Sequence, residues 1–395
     1  MRRLVVLFLF AVAAFAQTGE FGVFSNSDDV GAPPIHGLAT YDDAAQTYTI
    51  TGSGADIWAR ADQFHYAWRE MSGDFAVSAT AKFLTDGIAH RKAVIQLRES
   101  LDTDSQHLQL AIHGDGTPSI QFRAAKGETT HTVDFPIEGP GVWRMKLERR
   151  GEYVTFWMGK DDAPLRKLGT TITALGSPIL VGLGVASHTV EAVNTVEFTN
   201  VTVEQLEPAG DLGIFTNSGD VGDPATEGST EFSDGVYRLT GSGNSMWGAT
   251  DQFQYIWKEV AGNFTANATL EFEGEGHEHR KAGIMVRQSL DGDSAYGDFV
   301  IHGKGMPSIQ WRGAKGDDTR TFNLPYDEPG KFRIKLVRRG VRIYAYLSSD
   351  GAEPQEIAHT EVSFRGPVLV GLFVSSHDLA ATDAVTFTDV SIEMQ

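Results

Sequence analysis

Arginine, glutamine and histidine recur at matched positions in the two halves of this chain, and their types predict recognition of a polar ligand. Arg98, His113, Gln121, Arg123 and Arg144 in the first half correspond to Arg287, His302, Gln310, Arg312 and Arg333 in the second. Guanidinium and carboxamide groups are planar and present several donors in fixed directions, which suits hydroxyls and carboxylates. Trp58 and Trp247, with Trp68 and Trp257, offer flat faces on which a ring could stack. The competing reading is a polar sheet face with cross-strand charge pairs and tryptophans in the core.

The acids are less suggestive. Asp102 and Asp104, in Ser-Leu-Asp-Thr-Asp-Ser, return as Asp291 and Asp293 in Ser-Leu-Asp-Gly-Asp-Ser. Such residues cap turns through local hydrogen bonds, or hold a structural calcium ion, with Asp29 and Asp220 as weaker additions; the full calcium-loop pattern is missing. No other cofactor is expected. Glycoside hydrolysis needs two carboxylates across a groove, roughly 5 to 10 Å apart. Glu99 becomes Gln288 and Asp115 becomes Lys304, so these acids are not shared between the halves. His90, His113 and His188 return as His279, His302 and His377, at spacings that match no zinc motif. With no cysteine anywhere, disulfides, thiolate zinc sites and cysteine nucleophiles are excluded. The chain carries no Gly-x-Ser-x-Gly elbow, phosphate loop or dinucleotide fingerprint, and no catalytic residue is assigned.

The elements that must position these side chains are strands. Leu108, Leu110 and Ile112 alternate with Gln109 and Ala111; Trp143, Met145 and Leu147 alternate with Arg144 and Lys146. A period of two means strands with one face on a core. If Ala93, Ile95 and Leu97 point inward, then Gln96 and Arg98 point outward, and the same parity turns out His113, Gln121, Arg123 and Arg144. On neighbouring strands these residues would form one water-facing, locally basic patch.

The whole pattern repeats. Thr51-Gly52-Ser53-Gly54, Asp62-Gln63-Phe64, His90-Arg91-Lys92-Ala93 and Ser187-His188 all return 189 residues later, whereas Gly22-Val23-Phe24 returns after 191, at Gly213. The second copy therefore lacks two residues between the positions matching Ser27 and Thr51. A period this long is a domain rather than a solenoid unit. Many short strands separated by Gly, Asp, Asn and Pro turns then predict an all-β chain of two tandem jelly-roll sandwiches, residues 17–206 and 211–395, with a short linker at 207–210.

Arg2 and Arg3, the apolar run from Leu4 to Phe15 and Ala14-Phe15-Ala16 read as an export signal over residues 1–16, cleaved before Gln17. That run is too short to span a bilayer, so no membrane span is expected in the mature chain, which would be secreted or periplasmic. A formal charge of −19 argues against nucleic acid as a partner.

Gly54-Ala55-Asp56-Ile57-Trp58, Ala61-Asp62-Gln63-Phe64-His65-Tyr66 and the stretch from His90 to Leu101 resemble the concanavalin A-like lectin/glucanase superfamily, specifically its bacterial DUF1349-like, laminin-G-like modules. The resemblance covers both copies. It implies a jelly-roll fold, and it implies either binders or glycosidases, because fold alone does not set activity. The Glu-x-Asp-x-x-Glu strand motif of the superfamily's glucanases is absent. The expectation is a non-catalytic binding protein for glycan, with an adhesion or envelope-assembly protein that contacts another protein as the alternative, and a glycoside hydrolase as the third.

Overall fold

The computed structural model describes residues 21–207, 210–325, 328–348 and 352–395. The expected export signal lies outside them. The chain forms two compact units, one ending at Leu206 and one beginning at Glu207. Among the described residues all regular structure is β-strand.

The first unit is a jelly-roll sandwich of two seven-stranded sheets. The first sheet runs, in spatial order, through Asn26–Val30, Phe64–Met71, Ile179–Ala186, Lys92–Arg98, His107–His113, Pro118–Arg123 and His131–Asp134. The second runs through Arg166–Ile172, Tyr153–Lys160, Trp143–Arg150, Phe75–Phe83, Thr189–Gln205, Thr47–Gly54 and Leu38–Asp42. All pairings are antiparallel, and neighbours such as Phe64–Met71 and Ile179–Ala186 are far apart in sequence. Alternation decides what each strand buries. Trp143, Met145 and Leu147 enter the core between the sheets, where they meet Val77, Ile95, Leu110, Phe156, Val181 and Phe198.

The middle of the first sheet is buried on both faces. Every residue of Lys92–Arg98 and His107–His113 is shielded. The face turned away from the main core carries a second apolar cluster, built from Val30, Ile57, Phe64, Tyr66, Trp68, Val94, Ala111 and Ala186. Its lid is a small hairpin pairing Ile57–Trp58 with Ala61–Asp62. Tyr66 stacks on Trp68 at 5.5 Å between ring centroids, and its hydroxyl donates to the carbonyl of Gln96. Gly184 makes room for this layer, since a Cβ there would stand 2.9 Å from the Phe64 ring and from Val94.

The second unit repeats the plan, with two seven-stranded sheets in the matching order. The missing residues fall in one turn. Leu38–Asp42 joins Thr47–Gly54 through Asp43 to Gln46, whereas Ser233 joins Val236 through Asp234 and Gly235 alone.

Candidate functional site

The expected residues meet on the outer face of the first sheet, in rows fixed by strand register. Arg98, His107 and Arg123 form one row, Gln96, Gln109 and Gln121 the next, and Lys92 lies beside His113 at the far end. The parity inferred from the sequence for Arg98, His113, Gln121 and Arg123 therefore holds, but their expected exposure does not.

Arg98 and Arg123 are fully buried, and so are Arg287 and Arg312. The lid hairpin carries Asp62 down onto the face. Arg123 grips it with two bonds, Nη2 to Oδ1 at 2.7 Å and Nη1 to Oδ2 at 2.9 Å, and Arg98 Nη1 reaches Oδ2 at 3.4 Å. The remaining donors are satisfied by carbonyls. Arg98 bonds those of Ser100 and Asp102 at 2.6 Å each, and Arg123 bonds that of Glu128 at 3.0 Å. Asp251 holds Arg312 and Arg287 at the same distances in the second unit. A buried charge is tolerable only when paired and hydrogen-bonded, so these four arginines anchor the lid and its adjoining loops instead of facing a ligand. Burial raises the Asp62 carboxyl above its ordinary value against the pull of both guanidiniums. Burial, with the neighbouring guanidiniums, also drives His107 well below the usual imidazole value, so it is neutral.

Two further corrections concern Arg144 and Arg333. They lie on Trp143–Arg150 and Phe332–Arg339, which belong to the second sheet of each unit, and so join no patch with Arg98 or Arg287. Trp68 and Trp257 are buried under the lid layer and stack on Tyr66 and Tyr255. Trp58 and Trp247 stay partly exposed.

Beyond the arginine row, most polar groups of the first unit pair with one another, His113 Nδ1 and His188 Nδ1 excepted. Gln96 donates to Gln109 at 2.6 Å and Gln109 to Gln121 at 2.8 Å, while His113 Nε2 meets Ser119 Oγ at 3.0 Å. Lys92 donates to Asp56 Oδ1 at 2.6 Å and to the Ile57 carbonyl at 3.2 Å. His188 Nδ1 stands 3.1 Å from Asp56 Oδ2, at an angle that falls short of a hydrogen bond. His188 is held at φ 59°, in the two-residue corner where the chain passes from one sheet to the other. Burial lowers the His113 imidazole to about 4.

The second unit keeps the contact between His302 Nε2 and Ser308 Oγ, at 3.1 Å, but departs from this scheme elsewhere. Ser245 replaces Asp56, Met285 replaces Gln96 and Asp298 replaces Gln109. A pocket of about 300 Å³ opens here, lined by Ser245, Trp247, His279, Lys281, His302, Met306, Gln310, Asn323 and His377. That volume is at the low end for small-molecule sites, which span roughly 300 to 1,000 Å³. Lys281 donates to Ser245 Oγ at 2.9 Å, and its Nζ lies 5.6 Å from the Trp247 ring centroid. Gln310 Oε1, His302 Nδ1 and His377 Nδ1 are shielded from solvent and have no protein partner. His377 sits in the left-handed region at φ 58°, matching His188. Burial lowers Lys281 from its ordinary value to about 8 and His302 to about 3. Burial also holds the Asp298 carboxyl well above the usual carboxylate range.

Of the residues singled out in the sequence, the structure thus gathers Trp247, His302 and Gln310 around this pocket. It also adds Lys281, Ser245 and His377. Lys281 belongs to the repeated His-Arg-Lys-Ala block, and its parity with Arg287 was enough to place it on this face.

The acids considered for calcium have other partners. Asp102 and Asp104 converge on Lys126, and Asp291 and Asp293 on Lys315. Asp29 accepts from Gly37 N at 3.1 Å and meets His65 Nδ1 at 2.8 Å, and Asp220 accepts from Gly228 N at 2.9 Å. Among the described residues no group of three or more His, Asp or Glu side chains is arranged to hold a metal ion.

No family model matches the sequence, and no curated protein matches it. Solved structures with a similar strand arrangement include a functionally unknown protein from Saccharomyces cerevisiae. It is 20% identical, covers 42% of this chain and 92% of its own, and has a TM-score of 0.36. The carbohydrate binding module CBM66 from Bacillus subtilis is 14% identical over 46% of this chain and 98% of its own, with a TM-score of 0.34. A mutant of the GH43 protein BlXynB from Bacillus licheniformis is 11% identical over 90% of this chain and 97% of its own, with a TM-score of 0.35. At such scores the likenesses transfer no residue roles, and the fold stands on this chain's own sheets.

Proposed function

We propose that the chain is an exported saccharide-binding protein, secreted or periplasmic, whose second sandwich takes its ligand in the Trp247 pocket. The carrying observation is a 54% exposed tryptophan at a pocket whose polar wall includes Gln310 Oε1 and His302 Nδ1, both buried and without protein partners. A buried acceptor without a donor is costly, about 1 to 3 kcal/mol, and a ligand hydroxyl relieves it. A sugar ring combines the needed parts: an apolar face for the indole and a rim of hydroxyls for amide and imidazole.

Binding fits the pocket better than hydrolysis. Among the described residues no carboxylate lines it, and the nearby Asp298 is fully buried and bound to Gln310 N at 3.1 Å. The pair of acids that glycoside hydrolysis uses is therefore not assembled there. The test is a glycan array followed by titration calorimetry on the hits, with Trp247→Ala alongside. Saccharide binding lost in that variant supports the reading. Absence of saccharide binding, with capture of a specific envelope protein instead, would replace it with an adhesion role.

A further inference from the structure

The two units hold the same lysine and the same corner histidine but treat them differently. In the first, the carboxylate of Asp56 fills the space between them. Its Oδ1 accepts from Lys92 Nζ at 2.6 Å and from Ile57 N at 2.7 Å, and its Oδ2 stands 3.1 Å from His188 Nδ1. In the second, Lys281 and His377 are kept while the carboxylate is deleted to the hydroxymethyl of Ser245. Among the described residues neither Lys281 Nζ nor His377 Nδ1 then has a carboxylate within 4 Å, and His377 Nδ1, like His188 Nδ1, has no hydrogen-bond partner. The space vacated is part of the 300 Å³ pocket.

We propose that this pocket selects acidic sugars, with the ligand's carboxylate seated between Lys281 Nζ and His377 Nδ1, where the first sandwich holds its own Asp56. Asp56 thus displays, inside the same molecule, the place a hexuronate's carboxylate would take in the second unit. Lys281 supplies the charge, and the buried, inward-facing ammonium of a 3% exposed residue gains most from an ionised partner. His377 supplies a directed N–H when its proton is on Nδ1. Trp247 stays available for the ring, 5.6 Å from the ammonium. The net charge of −19 would disfavour an anion at a featureless surface, so a site for one has to be built locally, and these residues build it.

The inference rests on the saccharide-binding reading, and the experiment separates the two. The full chain is titrated with tri-galacturonate and D-glucuronate, and with galactotriose and D-glucose as neutral counterparts. The expected result is at least tenfold tighter binding of the uronates. Ser245→Asp, which rebuilds the arrangement of the first unit, should abolish that preference while leaving weak neutral-sugar binding that depends on Trp247. Lys281→Met should do the same by removing the charge without adding one, and thermal melts verify that each variant is folded. Equal affinity for charged and neutral sugars in the native chain, or a uronate preference that survives in folded Ser245→Asp, overturns the inference and leaves saccharide binding standing. If neither sugar class binds, both readings fall.

Discussion

Asp62 Oδ1 lies 2.7 Å from Arg123 Nη2, and neither side chain touches solvent. That contact decides what the outer face of the sheet is. The strand register places Arg98 and Arg123 on either side of His107, so two positive charges face the same space, and one carboxylate from the lid hairpin neutralises part of them. Removing that carboxylate strands two buried guanidiniums. Asp62→Ala should therefore destabilise the first sandwich by about 3 to 5 kcal/mol, the usual penalty for breaking a buried ion pair from one side. Urea unfolding followed by tryptophan fluorescence measures it. A loss below about 1 kcal/mol would mean the guanidiniums find water, and the lid is not the closed structure described.

The same contact explains why alternation alone makes these arginines look water-facing. Alternation along Lys92–Arg98 correctly turns Arg98 away from Ile95 and Leu97, because side-chain direction in a strand is a local property. Whether an outward face meets water is not local. It depends on a hairpin 36 positions earlier in the chain folding over that face, and Asp62 beside Phe64 reads in isolation as an ordinary turn acid. The pairing was nonetheless present as a signal: Asp62, Arg98 and Arg123 recur together as Asp251, Arg287 and Arg312, whereas Glu99 and Asp115 change. Recurrence alone does not mark burial, since the exposed pair of Asp102 and Lys126 also returns, as Asp291 and Lys315. The pocket was harder to read, because it arises from what changes. Asp56 to Ser245 and Gln109 to Asp298 look like drift until the register shows that each removes a partner from a neighbour that stays, Lys281 in one case and Gln310 in the other.

Trp247→Ala should weaken saccharide binding roughly two- to tenfold through lost stacking alone, which contributes about 0.5 to 1.5 kcal/mol beyond the area it buries. Because the side chain is more than half exposed, the thermal midpoint should barely move. Calorimetry and a melt on the same sample check both statements. A large fall in the midpoint would instead mark Trp247 as part of the fold.

Acid should weaken the first sandwich through His113. Burial lowers its imidazole to about 4, against roughly 6.5 when unfolded. The unfolded chain therefore binds the proton first as pH falls. The stabilising contribution is complete above about pH 6.5 and is lost on descent to about pH 4, with an upper magnitude of roughly 3 kcal/mol at 1.4 kcal/mol per unit. His113→Gln should flatten the dependence of unfolding free energy on pH over that window. An unchanged slope would place the acid sensitivity elsewhere.

Uronate binding should fade as pH rises through about 8. Lys281 is lowered to that value chiefly by burial, with Asp298 and Asp251 pulling it back up. Below it the ammonium is charged and meets the ligand's carboxylate, which is ionised throughout this range. Above it the free protein must take up a proton to bind, so affinity should fall about tenfold per unit once well past that value. Two of the other groups facing the ammonium leave this signature clean, since His302, lowered to about 3, and His377, also lowered, are already neutral. Asp298 is pushed well above the usual carboxylate range, so Asp298→Asn serves as its control. Ser245 does not titrate in this range, and His279→Gln controls for the remaining imidazole of the lining. Lys281→Arg, which stays charged to far higher pH, should hold its affinity flat from pH 6.5 to 9.5. A native chain that binds tri-galacturonate equally well at pH 7 and 9.5 would show that the ammonium is not what the ligand meets.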